Sequence, residues 1–187
     1  MANMRILGID PGSETTGWAV LETEGRRHVL VEYGTLKAST RERFSARLLK
    51  ISNGIEQLIT KFHPDVMSIE ETFFAVNVKS ALKLGQARGV ALVAAERAGL
   101  EIHEYSARLV KQTVVGYGNA EKHQVQEMVR ILLSLPSTPQ PHDAADAIAI
   151  ALCHFHHAGT AQRLLAAEAK INLALAARPN SRRRATK

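Results

Sequence analysis

The sequence contains a single cysteine, Cys153, among its 187 residues. A lone cysteine excludes an intramolecular disulfide and a zinc site built from several thiolates, and it is typical of a protein from a reducing compartment. Long apolar runs are also missing, since the longest, over residues 144–153, is interrupted and far shorter than a membrane span. The first five residues lack the charged start and apolar stretch of a signal peptide. We therefore expect a soluble, cytoplasmic protein with no membrane partner.

Most of the chain carries no excess charge of either sign. Residues 163–187 hold seven Lys and Arg against one acid, and this segment accounts for the whole net charge of +6. Two explanations fit this basic excess equally well: the tail binds phosphate groups non-specifically, or it is inert. With 45% hydrophobic residues, the chain is long enough for one domain with a substantial core. We predict that domain over residues 1–158, a helical extension over 159–177 and a disordered basic tail over 178–187.

Hydrophobic periodicity divides the predicted domain into strands and helices. Short apolar runs bounded by turn residues predict five strands, and apolar residues spaced three and four apart predict five helices. Three strands followed by alternating helices and strands indicate an α/β domain. Short connections and right-handed crossovers favour a five-stranded mixed sheet flanked by helices, of the ribonuclease H-like kind. The strands are expected near 4–10, 16–22, 29–36, 66–70 and 101–105, and the helices near 44–62, 78–98, 107–115, 121–134 and 143–157.

Two acidic residues, Asp10 and Glu70, lie at the ends of predicted apolar strands. If these strands are parallel neighbours, both carboxylates emerge at the same edge of the sheet, where α/β proteins bind ligands. A carboxylate beside buried residues must be solvated, paired or bound to a cation.

A second acidic feature is the sequence His-Asp-Ala-Ala-Asp over residues 142–146. On a helix, Asp143 and Asp146 project from the same face because they are three residues apart. Helix capping explains Asp143 alone, but a cap does not require Asp146. Converging carboxylates repel one another unless a divalent cation lies between them, and oxygen ligands favour Mg²⁺ or Mn²⁺. Two such ions held by these aspartates, Asp10 and Glu70 can activate a water and stabilise the leaving oxygen of a phosphodiester.

Short motifs occur in a specific order between residues 4 and 157. They are Ile-Leu-Gly-Ile-Asp-Pro-Gly-Ser (6–13), Thr-Gly (16–17), Ile-Glu (69–70), Ser-Ala-Leu-Lys-Leu-Gly-Gln-Ala-Arg-Gly-Val-Ala-Leu-Val (80–93), Val-Lys-Gln-Thr-Val-Val-Gly (110–116), Ala-Glu-Lys (120–122) and Asp-Ala-Ala-Asp-Ala (143–147). No single motif is decisive, but the ordered set is highly specific. It resembles the RuvC family of bacterial Holliday junction resolvases.

The resemblance implies a ribonuclease H-like homodimer that makes paired, symmetric nicks in a four-way DNA junction, leaving 5′-phosphate and 3′-hydroxyl ends. It implies two Mg²⁺ ions per active site, with Mn²⁺ as a substitute, held by Asp10, Glu70, Asp143 and Asp146. Some relatives carry histidine at the position of Asp143, and His142 precedes it here, so which of the two faces the metal stays open. The family works beside the RuvA–RuvB branch-migration machine in recombination and DNA repair.

The resemblance also assigns residues to DNA. Phe73 falls on an aromatic side chain that meets bases near the crossover, where stacking is worth about 1–3 kcal/mol. Core packing is the alternative for an adjacent aromatic pair, and we assign it to Phe74. Lys111 and Lys122 fall on basic residues needed for junction handling and cleavage, although a solvated surface position explains a lone lysine equally simply. The predicted DNA surface is completed by cations near the Phe73 loop, namely Lys79, Lys83 and Arg88.

Gly85 and Gly89 lie four residues apart in an otherwise alanine-rich predicted helix. An interior glycine destabilises a helix by about 1 kcal/mol, so close approach of another element is expected there. The spacing does not distinguish the chain's own sheet from a second subunit. The resemblance implies the dimer interface, whose two-fold axis would match a two-fold junction.

Three other functions fit parts of the pattern. The segment 8–17 resembles the first phosphate loop of actin-like and sugar-kinase-like ATPases, but no second glycine-rich phosphate loop follows after residue 100. A junction-binding module without catalysis is disfavoured, because four uncompensated acids would repel DNA phosphates. A related nuclease that acts on RNA or on another DNA structure would have the same acids, and only the resemblance separates these substrates.

Overall fold

The protein is built on a five-stranded mixed sheet that helices cover on both faces. The computed structural model describes residues 4–24, 27–71 and 77–176, with side chains described through residue 159. The α/β architecture predicted from the sequence is confirmed. The elements in chain order are β1 (Arg5–Asp10), β2 (Thr15–Glu24), β3 (Arg27–Lys37), α1 (Phe44–Phe62), β4 (Val66–Glu70), α2 (Val78–Arg97), β5 (Glu101–Tyr105), α3 (Ala107–Val115), α4 (Lys122–Leu132) and α5 (His142–Ala176).

The strand order is β3-β2-β1-β4-β5, with the first three strands antiparallel and β1, β4 and β5 parallel. Ile9 on β1 is in register with Ile69 on β4. The next residue of each strand is therefore an acid, Asp10 or Glu70, and both acids emerge at the same edge of the sheet. This arrangement was expected from the strand ends in the sequence.

Alternation along the strands divides the core between the two faces of the sheet. Ile6 and Leu21 pack with α3, α4 and the first part of α5. Leu7 and Val20 pack on the other face with α1 and α2. The apolar stripe of α1 accounts for its place in this second layer, since residues such as Ile55 are fully buried. The sheet edge that carries the acids thus lies between two helical layers.

Helix α5 lies against the sheet at two glycines, Gly8 on β1 and Gly17 on β2. A Cβ at Gly8 would collide with the carbonyl oxygen of Ala147, and a Cβ at Gly17 would collide with the carbonyl oxygen of Asp143. Gly17 is the register partner of Asp10. The absence of a side chain at Gly17 therefore lets the start of α5 lie directly beside the end of β1.

The last helix is longer than the sequence predicts. We expected it to end near residue 157 and a helical extension to follow over 159–177, but a single helix, α5, continues to Ala176. The described residues up to Phe155 form one compact unit, and those from His156 onward form a second. The predicted boundary at 158 stays a prediction, and the predicted tail over 178–187 lies outside the described residues. None of the helices described here has the length and apolar character needed to cross a membrane.

The glycine contacts predict that Gly17→Ala destabilises the protein. The obstructing atom belongs to the backbone of α5 and cannot rotate away, so overpacking should lower the free energy of unfolding by about 1–3 kcal/mol. Urea denaturation of the two proteins measures this difference. Gly159→Ala is the control, because a Cβ at that position in the same helix meets nothing within 4 Å, and it should leave stability equal or raised. Equal stability of Gly17→Ala and the parent would contradict the packing described here.

Candidate active site

A cavity of about 300 Å³ lies at the sheet edge where β1 and β4 end. Its walls come from both strand ends and from α3, α4 and α5. Three of the four predicted acids line it together with two predicted lysines, and the remaining walls are mainly apolar. The lining residues are Asp10, Glu70, Ala107, Val110, Lys111, Lys122, Val125, Asp146, Ala149 and Ile150.

Asp10 is the most strongly perturbed acid of this cavity. The pKa of its carboxyl group is raised from 3.8 to about 8, mainly by burial and in addition by the negative charges of Glu70, Asp146 and Asp143, while the charge of Lys122 acts in the opposite direction. All four predicted acids are thus close enough to interact electrostatically. Without a bound cation, Asp10 would hold a proton at neutral pH, as expected for a buried carboxyl group that lies among other carboxylates.

Glu70 shares this environment from the end of β4. Burial is the main cause that raises its pKa, and the charge of Asp146 adds to it. Lys122 and Lys111 lower the pKa of Glu70. The two lysines to which the family resemblance assigned junction handling therefore act electrostatically on the predicted catalytic acids.

Lys122 and Asp146 form an ion pair across the cavity. The Nζ atom of Lys122 lies 3.3 Å from Oδ2 of Asp146. This contact raises the pKa of the lysine, with smaller contributions from the charges of Asp10 and Asp143. Lys122 is the first residue of α4 and its side chain is 72% exposed, so the ammonium group sits at the mouth of the cavity between the acids and solvent.

Asp143 is placed by the start of α5, and the preceding residue is held separately. The backbone of Asp143 abuts Gly17, and its charge acts on Asp10. The side-chain amide of Gln126, a buried residue on α4, donates a hydrogen bond to Nδ1 of His142. His142 is thus hydrogen-bonded to α4. Of these two neighbouring residues, it is Asp143 whose charge raises the pKa of Asp10.

The donor set suits a hard divalent cation. The cavity collects carboxylate oxygens and no thiolate, and its buried acid carries a pKa that a nearby cation would lower. Among the residues that the structure describes, no three His, Cys, Asp or Glu side chains are gathered tightly enough to form a finished metal site. Asp10, Glu70 and Asp146 share one cavity, and Asp143 acts on Asp10 through its charge. Lys122 provides the positive charge beside Asp146.

The predicted DNA-binding residues of α2 lie outside the cavity lining. Lys79 and Lys83 are exposed in the first two turns of the helix. Arg88 is mostly buried, and its Nε donates to the carbonyl oxygen of Glu70 at 3.3 Å while its guanidinium also pairs with Glu104. Phe73 and Phe74 fall outside the described residues.

Gly85 and Gly89 do not contact the chain's own sheet. A Cβ at either position meets nothing within 4 Å. Packing within the chain, one of the two explanations that the spacing left open, is therefore ruled out for the described residues. The remaining explanation for the two glycines is that this face of α2 contacts another molecule.

Several residues that shape the site were not identified from the sequence. Gly8 and Gly17 could have been found, because glycine inside a strand signals close backbone approach. Arg47 could have been found too, since it lies on the apolar stripe of α1 and is buried. No local pattern in the sequence indicates the contact between Gln126 on α4 and His142 on α5, two residues that are sixteen positions apart.

The raised pKa of Asp10 predicts a pH-dependent effect of Asp10→Asn on stability. An acid whose folded-state pKa rises from 3.8 to about 8 destabilises the metal-free fold progressively as pH increases between those values, and fully above 8. The asparagine variant lacks this penalty. At pH 8 it should be more stable than the parent by at least about 1.4 kcal/mol, or roughly 3–6 °C in Tm, with a smaller difference at pH 5.

Thermal unfolding in EDTA at several pH values measures this difference. Glu24→Gln is the control, because exposed Glu24 ends β2 at the opposite edge of the sheet. Addition of Mg²⁺ at pH 8 should raise the Tm of the parent more than that of Asp10→Asn. An asparagine variant less stable than the parent at pH 8 would contradict the electrostatic description of the cavity.

The chain matches known proteins over most of its length. Residues 6–154 match the family model described as crossover junction endodeoxyribonuclease RuvC. The chain is 50% identical over 151 residues to the crossover junction endodeoxyribonuclease RuvC of Ruminiclostridium cellulolyticum, covering 81% of this chain and 91% of the relative. It is also 50% identical over 160 residues to that of Chloroflexus aggregans, covering 86% and 98%.

Solved structures extend the likeness to three dimensions. The Thermus thermophilus RuvC structure superimposes with a TM-score of 0.79 at 36% identity, covering 84% of this chain and 97% of that one. The same protein in complex with a Holliday junction substrate matches with the same TM-score and identity, covering 83% and 94%. The resemblance seen in the sequence is therefore confirmed, and the chain belongs to the RuvC family of crossover junction endodeoxyribonucleases.

Proposed function

We propose that Asp10, Glu70, Asp143 and Asp146 form the active centre with which this chain resolves four-way DNA junctions. The chain is a hydrolytic nuclease by family, and a junction complex is known for a Thermus relative of the same fold. The observation that carries the assignment is the cavity shared by Asp10, Glu70 and Asp146, where the buried carboxyl group of Asp10 is repelled by these two acids and by Asp143. We place this activity in the cytoplasm, in recombination and DNA repair.

The proposed cofactor is Mg²⁺, two ions per active site, with Mn²⁺ as a substitute. The ions would be held by the four carboxylates, and when bound they supply activation of the attacking water and stabilisation of the leaving 3′-oxygen. The donor set supports this assignment because it contains oxygen ligands and a carboxyl group that becomes an anion readily only beside a cation. The products would carry 5′-phosphate and 3′-hydroxyl ends.

The remaining side chains of the cavity position and neutralise the reacting phosphate. Lys122, at the mouth, is paired with Asp146 and would exchange this partner for the DNA phosphate when the acids bind their cations. Lys111 on α3 also lines the cavity and contributes a second positive charge, which acts on Glu70. Apolar walls such as Val110 and Ile150 reduce access of water, so these charges act in a medium of lower dielectric constant.

The DNA surface is proposed to continue from the cavity onto the start of α2. Lys79 and Lys83 are exposed there, directly after the segment that contains Phe73. We propose that Phe73 stacks on bases at the crossover, and that Arg88, next to the end of β4, adds positive charge beside this path. Each phosphate contact would make binding more sensitive to salt.

We further propose that the chain is a homodimer assembled through the outer face of α2. Three apolar side chains of this face are exposed to solvent: Val78, Leu82 and Val93 are 72%, 63% and 51% exposed. Gly85 and Gly89 lie between them with open space around each α-carbon. Two such faces packed together would give the two-fold symmetry that paired nicks require. The RuvA–RuvB machine is the proposed further partner.

Substitution of the acids should separate cleavage from binding. Glu70→Gln and Asp146→Asn should bind a synthetic four-way junction as tightly as the parent, while cleavage in Mg²⁺ falls by at least about 100-fold because a cation ligand is lost. Gel-shift and single-turnover cleavage assays measure the two quantities. Glu71→Gln is the matched control, because its backbone pairs with Tyr105 but its side chain is not part of the cavity lining.

The choice of substrate tests the alternative functions. Paired nicks in the junction that require Mg²⁺ and stop in EDTA are expected, with little cleavage of linear duplex or of an RNA–DNA hybrid. Equal cleavage of all three substrates would indicate a different nuclease. ATP hydrolysis without nicking would indicate the kinase-like alternative, and unchanged cleavage by the acid variants would contradict the proposed centre.

The dimer proposal predicts that Leu82→Lys weakens self-association. A charged side chain in an apolar interface loses its hydration without a partner, so the dissociation constant should increase by at least about tenfold. Sedimentation velocity over a concentration series measures this. Leu49→Lys is the control, because Leu49 on α1 is similarly exposed at 61% but lies outside the proposed face. Identical behaviour of both variants would refute the role of α2.

A further inference from the structure

We propose that Arg47 is a positioning residue for the active site, because it holds the loop that follows Asp10. The loop comprises residues 11–14 and joins β1 to β2. Arg47 lies on α1, in the helical layer opposite α5, and is not part of the cavity lining. The inference rests on the proposed function, since it assumes that Asp10 binds the catalytic cation.

Arg47 is a buried charge that folding alone does not explain. Its side chain is only 6% exposed, and its nearest carboxylate is Glu14, at 3.9 Å, whose own side chain is 65% exposed. Within the described part of the chain, its Nε has no hydrogen-bond partner. Removing a guanidinium group from water costs several kcal/mol that so weak an ion pair does not recover, and an apolar side chain of similar size is often at least as stable.

The contacts of Arg47 converge on the loop after Asp10. Its Nη2 donates to the carbonyl oxygen of Ser13 and lies 3.3 Å from the Ser13 hydroxyl. The ring of Phe44, one turn earlier on α1, stands 5.4 Å from the guanidinium carbon. The aromatic face and the helix fix the direction of the arginine, so the side chain joins α1 rigidly to the middle of the loop.

The rest of the loop is fixed from other elements. Thr16 on β2 donates its hydroxyl proton to the carbonyl oxygen of Gly12 at 2.9 Å. The backbone N–H of Ala38, just after β3, donates to the carbonyl oxygen of Glu14 at 2.8 Å. Arg47 holds Ser13, the loop residue between Gly12 and Glu14. Three consecutive loop residues are thus held by three different parts of the fold.

Arg47 acts on Asp10 through this loop and not through its charge. The charges that shift the pKa of Asp10 are those of the other three acids and Lys122. A carboxylate that shares a cation must be held to within about 0.5 Å, and Asp10 is the residue from which the loop departs. A parallel contact supports this interpretation, since Arg88 from α2 donates to the backbone carbonyl of Glu70 at 3.3 Å. Arginines from the same helical layer thus hold the backbone at or just beyond the ends of β1 and β4.

Arg47→Met tests the inference, because methionine fills the volume of the side chain without its charge or hydrogen bonds. In EDTA, the variant should unfold at the parent Tm or above it and should bind the junction with a Kd within about threefold of the parent. Its single-turnover cleavage should fall by about 10–100-fold, as for a misplaced catalytic group. The Mg²⁺ concentration for half-maximal cleavage and for half of the Mg²⁺-induced rise in Tm should both increase by at least about fivefold.

Arg47→Lys and Arg97→Met complete the design. Lysine keeps the charge but not the forked donor geometry, so Arg47→Lys should fold and show an intermediate Mg²⁺ requirement. Arg97 ends α2, is 71% exposed and pairs with Glu56 at 3.6 Å, so Arg97→Met should behave as the parent. If Arg47→Met does not fold, Arg47→Lys decides the question in the same assays.

Parental cleavage and parental Mg²⁺ dependence of the folded Arg47 variants would overturn the inference. Reduced cleavage with an unchanged Mg²⁺ requirement in both assays would do so too, because it would indicate a role other than positioning Asp10. Asp10→Asn is run in parallel to keep the two proposals separate. If Asp10→Asn still cleaves junctions, the proposed active centre is wrong. If it is inactive and the Arg47 variants behave as the parent, only the role of Arg47 is wrong.

Discussion

Electrostatic repulsion among buried carboxylates is the constraint on which the site depends. Asp10, Glu70, Asp143 and Asp146 come from three separate elements, yet the pKa of Asp10 is raised to about 8 because burial and the other three charges all disfavour its anion. Such an arrangement is unfavourable for an isolated protein and becomes favourable when a divalent cation joins the acids. Stability of the metal-free fold and catalytic competence therefore make opposite demands on the same residues.

The fold meets this constraint by fixing the backbone around the acids. Parallel pairing of β1 with β4 brings two of them to one edge, and Gly17 removes the side chain that would keep α5 at a distance. Helix α4 then contacts α5 through the Lys122–Asp146 ion pair and the Gln126–His142 hydrogen bond. The acids are thus held close together despite their mutual repulsion. The residues that hold them there, such as Gly17, Lys122 and Gln126, are not acids.

The sequence was informative about elements and acids because both depend on local patterns. The strand ending at Asp10, the strand ending at Glu70 and the three-residue spacing within 142–146 are visible in a short window. The end of α5 near residue 157 was predicted wrongly, since the predicted helical extension over 159–177 is continuous with it and the helix runs to Ala176. The roles of Arg47 and Gln126 depend on contacts between elements distant along the chain. Such contacts appear only once the sheet has set the distance between its helical layers.

Anomalous diffraction from crystals grown with Mn²⁺ and a four-way junction tests the central claim most directly. The account predicts anomalous peaks bounded by the carboxylate oxygens of Asp10 and Glu70 and of the aspartates that begin α5, with a junction phosphate on the open side. It also predicts that the ammonium group of Lys122 has moved from Asp146 toward that phosphate. Manganese bound elsewhere, or a cleavage-competent junction complex with no ion among these acids, would contradict it.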